Sequence, residues 1–471
     1  MCIMDIYTGT LVTLILANVA LASFRLNDNE GRANLRELTS SVSGLFRDQA
    51  HDQQRNDKGL ALVFLPVYVL AMASDWMQGP YFFPLYKETL QLHDHVIATL
   101  FATGFISGAF SASFVGKLAD TFGRRKACLA FCVVYSLSCI MTVSSSNVLV
   151  LFLGRVLGGI GTTLLFTVFE AWLVAEFHHK KAASDSTELN QLLGTMTVLS
   201  GMVAVLSGLL SNYLVSITGS RKAPFLASPV CLLLASLLIL GTWNENYLGN
   251  CDNSGSEAAE EQRTQLSTII KGKYTRTMVL GFITMISEGS MYLFVVFWSP
   301  AIISASKDDD IPGSPPFGVI FASFMTAMML GSQISSQLMV SPPSRGNSSP
   351  TPSLSVSRSS GLLTVLLFLG SMSLTCAVVF PTTLLTLWAF CVYEFSIGLY
   401  YPNMGVLKSV LIHDMDRAGV YALFRLPLNC FVVAGLAFTT EGGGYRNKVF
   451  MTCSILLLVA MVFSHLLLRR P

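Results

Sequence analysis

Six charged side chains lie inside long apolar stretches of this sequence. A charged residue at the centre of a membrane-spanning helix costs about 2.5–3.5 kcal/mol on insertion scales, so such residues usually serve function or pairing. Four are acids and two are arginines: Asp75, Glu170, Glu288, Glu394, Arg155 and Arg425. Buried carboxylates can carry protons or bind cations, whereas a guanidinium binds two oxygens of an anion at once and stays charged. These residues therefore predict binding of a small ion or polar solute within a membrane.

The composition is that of a membrane protein. Of the 471 residues, 52% are hydrophobic and only 12% are charged, against about 25% charged residues in average soluble proteins. A net charge of +2 indicates no nucleic acid or other polyanionic partner. The ten cysteines have neither metal-binding nor disulfide spacing. Because catalytic and phosphate-cradling motifs are missing as well, we expect no enzyme, no catalytic residue, no metal and no cofactor.

Thirteen apolar runs predict an all-α protein, since each can span about 30 Å of hydrocarbon. The first run covers residues 6–24. Asp5 precedes it and the basic residues follow it, which favours an uncleaved anchor over a signal peptide. The other twelve runs form two sets of six around a polar stretch, which suggests two bundles related by a repeat. The predicted units are an anchor with its linker, a first bundle, an inter-bundle loop and a second bundle, at 1–59, 60–243, 244–275 and 276–471.

Basic residues outside the runs orient the helices. If successive runs alternate in direction, 22 of the 30 Lys and Arg residues fall on the side of the linker 25–59 and six on the other, while Arg155 and Arg425 lie within runs. Positive residues are enriched in cytoplasmic loops. The distribution predicts a multi-pass protein of the lipid bilayer with its N-terminus outside and its C-terminus in the cytoplasm.

A short charged turn lies at 116–126, between the second and third of the twelve runs. Its backbone cannot stay unpaired in hydrocarbon, so we expect it at the cytoplasmic membrane surface. The turn resembles the signature of the major facilitator superfamily, although a threonine stands where the family usually has a basic residue after the aspartate. The matching residues are Gly116, Asp120, Gly123, Arg124 and Arg125.

A second pattern, Arg155 with Gly159 and Gly161, resembles the fourth-helix signature of the same superfamily. Within the superfamily, the chain resembles the molybdate-anion transporter group. That resemblance is carried by Ser74-Asp75-Trp76, Phe169-Glu170-Ala171-Trp172, Ser287-Glu288, Ile397-Gly398-Leu399-Tyr400-Tyr401-Pro402 and Phe424-Arg425-Leu426-Pro427-Leu428. It implies two six-helix bundles around a central cavity lined mainly by helices one, four, seven and ten, plus an extra N-terminal transmembrane helix. It also implies uptake of the molybdate oxyanion across the cell membrane.

The four acids fall one each on the helices that the resemblance assigns to the cavity. One hypothesis is that Arg425 and Arg155 bind a tetrahedral oxyanion, while the carboxylates hold the empty arginines or carry a coupling proton. The alternative is that Asp75–Arg155 and Glu288–Arg425 are fixed ion pairs joining helices. The turn is too far from the midplane to touch substrate, so its aspartate and first arginine are expected to latch helix ends in the outward-open state.

Two further functions stay open from the sequence. Four acids against two arginines leave a buried charge of −2 if all are ionised, which suits a cation or a small polar organic solute carried with protons. A non-transporting membrane receptor that has kept the fold is the other. Competition by tungstate or sulfate, but not by organic cations, would separate the oxyanion from the cation hypothesis.

Overall fold

The computed structural model of the protein describes residues 3–27, 52–180, 186–247, 275–339, 352–412 and 417–468. The extra N-terminal helix is α1 (Ile3–Asn27). The N-terminal half contains α2 (Asp52–Trp76), α3 (Asp94–Ser111), α4 (Val115–Phe122), α5 (Arg124–Ser144), α6 (Val148–Lys180), α7 (Ser186–Thr218) and α8 (Ala223–Thr242). The C-terminal half contains α9 (Thr275–Asp308), α10 (Phe317–Met339), α11 (Pro352–Val379), α12 (Thr383–Leu411), α13 (Arg417–Ala437) and α14 (Gly443–Phe463).

Eleven of the described helices are long and apolar enough to cross a membrane. Helices α3 and α4 together form a further span, bent by 51° where the sequence predicts one run over 93–118. The residues at the bend are small or apolar, so hydropathy does not reveal it. Helix α13 contributes a shorter apolar segment, Leu423–Ala437. All thirteen predicted runs are thus helical, which confirms the all-α membrane fold.

Each half packs around its own buried aromatic side chains. In the N-terminal half, the rings of Trp172 and Trp243 stack with centroids 3.8 Å apart and join α6 to the end of α8. In the C-terminal half, the ring centroid of Phe294 lies 5.0 Å from that of Phe390 and 5.8 Å from that of Phe324. These contacts join α9 to α12 and α10. Aromatic pairs at such distances add to the stabilisation that burial provides. These contacts fix the helices that carry the intramembrane charges.

Helix α1 packs against the C-terminal half, although it precedes the N-terminal half in the chain. The Tyr7 hydroxyl lies 3.1 Å from the Ser306 hydroxyl. Deeper in the helix, the Asn18 amide donates to the Thr326 carbonyl at 3.1 Å and accepts from Gln333 at 3.0 Å. Polar groups buried in a membrane need such partners. The anchor helix is therefore an integral part of the bundle.

The predicted linker and the predicted inter-bundle loop fall largely on residues 28–51 and 248–274, which lie outside the described part of the chain. The same holds for most of the polar loop between α10 and α11. The bounds of the four predicted units therefore stay a prediction.

The two halves contact each other on the side that the charge distribution predicts to be outside. Helices α7 and α10 cross so closely that a Cβ atom on Gly318 would lie 2.2 Å from the Gly208 carbonyl oxygen. Elsewhere between the halves, Phe105 of α3 stacks on Tyr292 of α9 with ring centroids 5.2 Å apart. Contacts between α7 and α10 and between α3 and α9 therefore join the two halves.

A cluster of charged residues also joins the halves at the predicted outer surface. Lys87 of the N-terminal half contacts Asp94 at 2.7 Å and Glu441, between α13 and α14, at 3.0 Å. Glu441 further accepts the Asp94 backbone N–H at 2.7 Å and lies 3.1 Å from the His93 ring nitrogen. We call Lys87, His93, Asp94 and Glu441 the outer latch.

We expect the contacts of the outer latch to weaken in acid and in the Glu441→Gln variant. Partial burial raises the pKa of Glu441, but the Asp94 backbone N–H and Lys87 outweigh this and hold the pKa at about 2, against an ordinary 4.5. The stabilisation of the closed outer side is therefore fully present above about pH 4.5 and is lost as the pH falls toward 2. Because exposed ion pairs are weak, we expect roughly a two- to fivefold effect.

The measurement is labelling, by a membrane-impermeant maleimide, of a cysteine placed at Ala98, which is 2% exposed and lines a cavity together with Lys87 and Asp94. Glu441→Gln should label faster than the parent protein. Asp309→Asn is the matched control, because Asp309 accepts the Thr383 backbone N–H within the C-terminal half. Equal labelling rates in all three proteins would contradict the latch.

Candidate functional site

Asp75 lies near the end of α2 and is half-buried. The Tyr135 hydroxyl of α5 donates a short hydrogen bond to its carboxylate. Arg155 is near enough to act on Asp75 electrostatically, but within the described residues no ion pair joins the two. The first of the two fixed pairs considered from the sequence is therefore replaced by a tyrosine contact.

Arg155 is held by aromatic rings and backbone. Its guanidinium carbon lies 4.5 Å from the Phe82 ring centroid and 5.1 Å from that of Phe101, and its Nε donates to the Leu100 carbonyl at 3.4 Å. A Cβ atom on Gly104 would lie 2.8 Å from its Nη2 atom. Cation–π contacts stabilise a guanidinium without neutralising it. These contacts favour a role for Arg155 in joining α6 to α3.

Glu170 lies nearly three turns before the end of the long helix α6 and is exposed. It acts electrostatically on Tyr68 of α2. Glu170 and Arg155 are 15 positions apart on this helix, about 22 Å at 1.5 Å per residue, so they do not pair directly.

Glu288 lies on α9 and is bound by two residues of α12. The Tyr400 hydroxyl donates to its Oε1 atom at 3.2 Å, and the Lys408 ammonium lies 3.4 Å from the same oxygen. Among the described residues no ion pair joins Glu288 to Arg425. The second fixed pair considered from the sequence is thus replaced by Glu288–Lys408.

Arg425 lies on α13 with its side chain exposed and without an ion pair within the described part of the chain. It acts electrostatically on Tyr292 of α9, as does Glu288. A guanidinium without an ion pair can bind an anion without first breaking a strong contact within the protein.

Glu394 is buried in the middle of α12, with 4% of its surface exposed. Among the described residues, no hydrogen bond or ion pair to its carboxyl is found. Burying a carboxylate without a cation is costly, and a proton removes that cost. The geometry suits a group that exchanges a proton rather than one that binds an anion.

Lys408 is the residue that sequence reasoning missed. Because Lys408 lies at the end of an apolar run, its charge was counted with those of the predicted cytoplasmic loops. Glu394, Tyr401 and Lys408 follow each other at intervals of seven residues, which places them on one face of a helix. That spacing was the available signal, because a long lysine side chain can reach back toward a cavity from a helix end.

The signature turn packs within the N-terminal half. Arg124 contacts Asp120 at 2.7 Å, and the Arg125 backbone N–H donates to Glu245 beyond α8 at 2.8 Å. Gly123 has a φ of 108°, and a Cβ atom there would lie 2.5 Å from the Glu245 carboxyl carbon. The turn therefore needs glycine, and its two gate residues hold each other in this conformation. A Cβ atom added to Gly116 of α4 would meet no other atom within 4 Å.

Solved transporters share this fold. A point mutant of the nucleoside transporter NupG superposes with a TM-score of 0.63 at 14% identity, covering 86% of this chain and 99% of NupG. The inward-open conformation of the xylose transporter XylE from E. coli gives 0.62 at 12% identity, covering 86% and 95%. At such identities the likeness shows the fold alone: membrane-spanning helices arranged in two bundles.

Sequence comparisons define the family. The family model MFS_5, described as sugar transporters with 12 transmembrane segments, matches residues 38–369. The molybdate-anion transporter of Xenopus tropicalis is 31% identical over 408 residues, covering 85% of this chain and 83% of the relative. That of Danio rerio is 31% identical over 431 residues, covering 85% of each. The chain belongs to the major facilitator superfamily, in the group of molybdate-anion transporters.

Proposed function

We propose that this protein carries the molybdate oxyanion across the cell membrane by alternating access. The names of its relatives support this substrate. The structural observation that carries the proposal is Arg425, an exposed guanidinium at membrane depth whose charge no described carboxylate neutralises. A planar guanidinium donates two parallel hydrogen bonds to a tetrahedral oxyanion, which suits molybdate and its analogues tungstate and sulfate.

Charge in the C-terminal half favours an anion. Arg425 and Lys408 face one partly exposed carboxylate, Glu288, while Glu394 is buried apart from them. From the sequence, four acids against two arginines favoured a cationic substrate. With Lys408 included, three positively charged residues stand against the four acids. If Glu394 carries a proton, the charges balance.

A coupled proton would help an anion to enter against an inside-negative potential. Glu394 is the proposed carrier, since its buried carboxyl lacks a described cation. Asp75 and Glu170 are the proposed carboxylates of the N-terminal half, and Arg155 there would act mainly by holding helices together.

The proposed cycle uses the signature turn as a cytoplasmic latch. Asp120 and Arg124 would release each other and hold helix ends of the C-terminal half in the outward-open state. The outer latch would then be open. The proposed orientation, with the N-terminus outside and the C-terminus in the cytoplasm, rests on the distribution of basic residues.

The test is uptake of labelled molybdate by cells that express the protein, with surface levels measured in parallel. Uptake should exceed that of cells expressing an inactive variant, and excess tungstate or sulfate should compete. Repeating the uptake at several external pH values tests the proton, because proton-coupled entry should increase as the external pH falls. Absence of molybdate uptake by protein at the surface would refute the proposal.

A proton-coupled transporter of a cation or a small polar organic solute is the second candidate. The observation in its favour is the set of four carboxylates on α2, α6, α9 and α12. Inhibition of uptake by organic cations or sugars, without inhibition by tungstate, would support it.

A further inference from the structure

We infer that Lys408 is a second ligand of the transported oxyanion and that Glu288 is the counter-ion that holds its ammonium group in the empty site. The inference rests on the proposed function as an oxyanion transporter. It assigns to the site a lysine at the end of α12, together with the ion pair that the substrate must open.

The first argument is position. Lys408 contacts Glu288 of α9, and its ammonium lies 5.5 Å from the Tyr421 ring centroid on α13. Tyr421 stands four residues before Arg425, and residues with this spacing are neighbours on one helix face. Lys408 therefore lies beside the face of α13 that carries the exposed guanidinium.

The facing surface of α9 has the same geometry. Glu288 and Tyr292 are also four residues apart, so they are neighbours on one face of α9. Lys408 thus lies where the charged faces of α9 and α13 converge. Two cations from different helices beside one space can contact different oxygens of one tetrahedral anion.

The second argument is that the Glu288–Lys408 pair is loose. Its N–O distance is 3.4 Å, whereas strong charge-assisted hydrogen bonds measure about 2.7–2.9 Å. The Arg124–Asp120 pair of the signature turn, at 2.7 Å, is tight by comparison. An ammonium group has three donors, so Lys408 can turn toward an arriving anion at little cost.

The third argument concerns what Glu288 does when Lys408 leaves. The Tyr400 hydroxyl already donates to the same carboxylate oxygen at 3.2 Å. Opening the ion pair therefore leaves Glu288 with a hydrogen-bond partner. Both side chains are partly exposed, 19% for Lys408 and 21% for Glu288, so water and substrate can reach the pair.

The test is the molybdate Kd of the purified, full-length protein, measured by isothermal titration calorimetry. Lys408→Gln should raise Kd roughly 10- to 100-fold, as expected for loss of a charge-assisted hydrogen bond. Lys408→Arg should stay within a few-fold of the parent. Glu288→Gln should lower Kd, because no counter-ion then competes with the substrate. Lys448→Gln, which removes an exposed lysine at the outer end of α14, is the matched control and should leave Kd unchanged.

The outcomes separate this inference from the function on which it rests. If the parent binds molybdate and Lys408→Gln binds it equally well, Lys408 is not a ligand and the inference fails alone. If the parent does not bind molybdate, the proposed function fails and the inference fails with it. Should Lys408→Gln not fold, Glu288→Gln decides: an unchanged or higher Kd overturns the counter-ion role.

Discussion

Arg425→Ala is expected to reduce molybdate uptake roughly 10- to 100-fold at equal surface levels. The guanidinium is exposed on α13 and has no ion pair among the described residues, so its removal breaks no strong contact within the protein. What is lost is a charge-assisted hydrogen bond to the substrate, which contributes about 1.5–3 kcal/mol. The measurement is the initial rate of uptake of labelled molybdate over a range of concentrations.

Two controls make this result specific to the guanidinium. Arg425→Lys keeps the charge but loses the planar fork, so it should recover only part of the uptake. Lys448→Ala removes one positive charge from the outer end of α14 and should transport like the parent. Parental uptake by Arg425→Ala would remove Arg425 from the site and leave Lys408 as the remaining cation in the C-terminal half.

Gly318→Val is expected to reduce uptake by roughly tenfold or more, by a different mechanism. A Cβ atom on Gly318 would lie 2.2 Å from the Gly208 carbonyl oxygen and 2.7 Å from the Asn212 Cβ atom. Both neighbours belong to α7, in the other half, and a backbone oxygen cannot move aside as a flexible side chain can. Overpacking of this kind costs about 1–3 kcal/mol. The cost falls only on the conformation in which the halves are closed on the outer side.

The matched control is Gly361→Val in α11, where an added Cβ atom meets nothing within 4 Å. It should fold and transport like the parent protein. In Gly318→Val, by contrast, molybdate binding from outside should persist while release inside is blocked, and the cysteine at Ala98 should label faster. Normal transport by Gly318→Val would mean that α7 and α10 do not approach this closely during the cycle.

The sequence predicted the helices and their charged residues well, because hydrophobicity and charge act locally. Each apolar run must become a helix in a membrane to satisfy its own backbone. The intramembrane acids were found for the same reason, since a charge in an apolar run is visible without knowledge of the fold. The bend between α3 and α4 was missed because its residues are as apolar as those around it.

Pairing could not be predicted, because it depends on how helices are staggered against each other. A fixed Glu288–Arg425 pair was one alternative considered from the sequence, yet the packing of α9 against α12 brings Lys408 to Glu288 at 3.4 Å. Asp75 similarly contacts Tyr135 rather than Arg155. A lysine side chain spans several ångströms, so its position on the helix does not say where its charge lies.

The sequence by itself determined that this is a many-helix membrane protein of the major facilitator type, with one intramembrane acid on each of four helices. The helices and the intramembrane charges follow from the transfer of single side chains and backbone groups between water and lipid, whereas the superfamily was indicated by the resemblance of the motifs. Only the tertiary structure decided that Lys408 pairs with Glu288, that Arg425 is exposed and that Arg155 lies between aromatic rings. It also decided that α1 packs against the C-terminal half and that the two halves are in contact on the predicted outer side. These depend on contacts between residues hundreds of positions apart, whose distances no local property of the chain encodes.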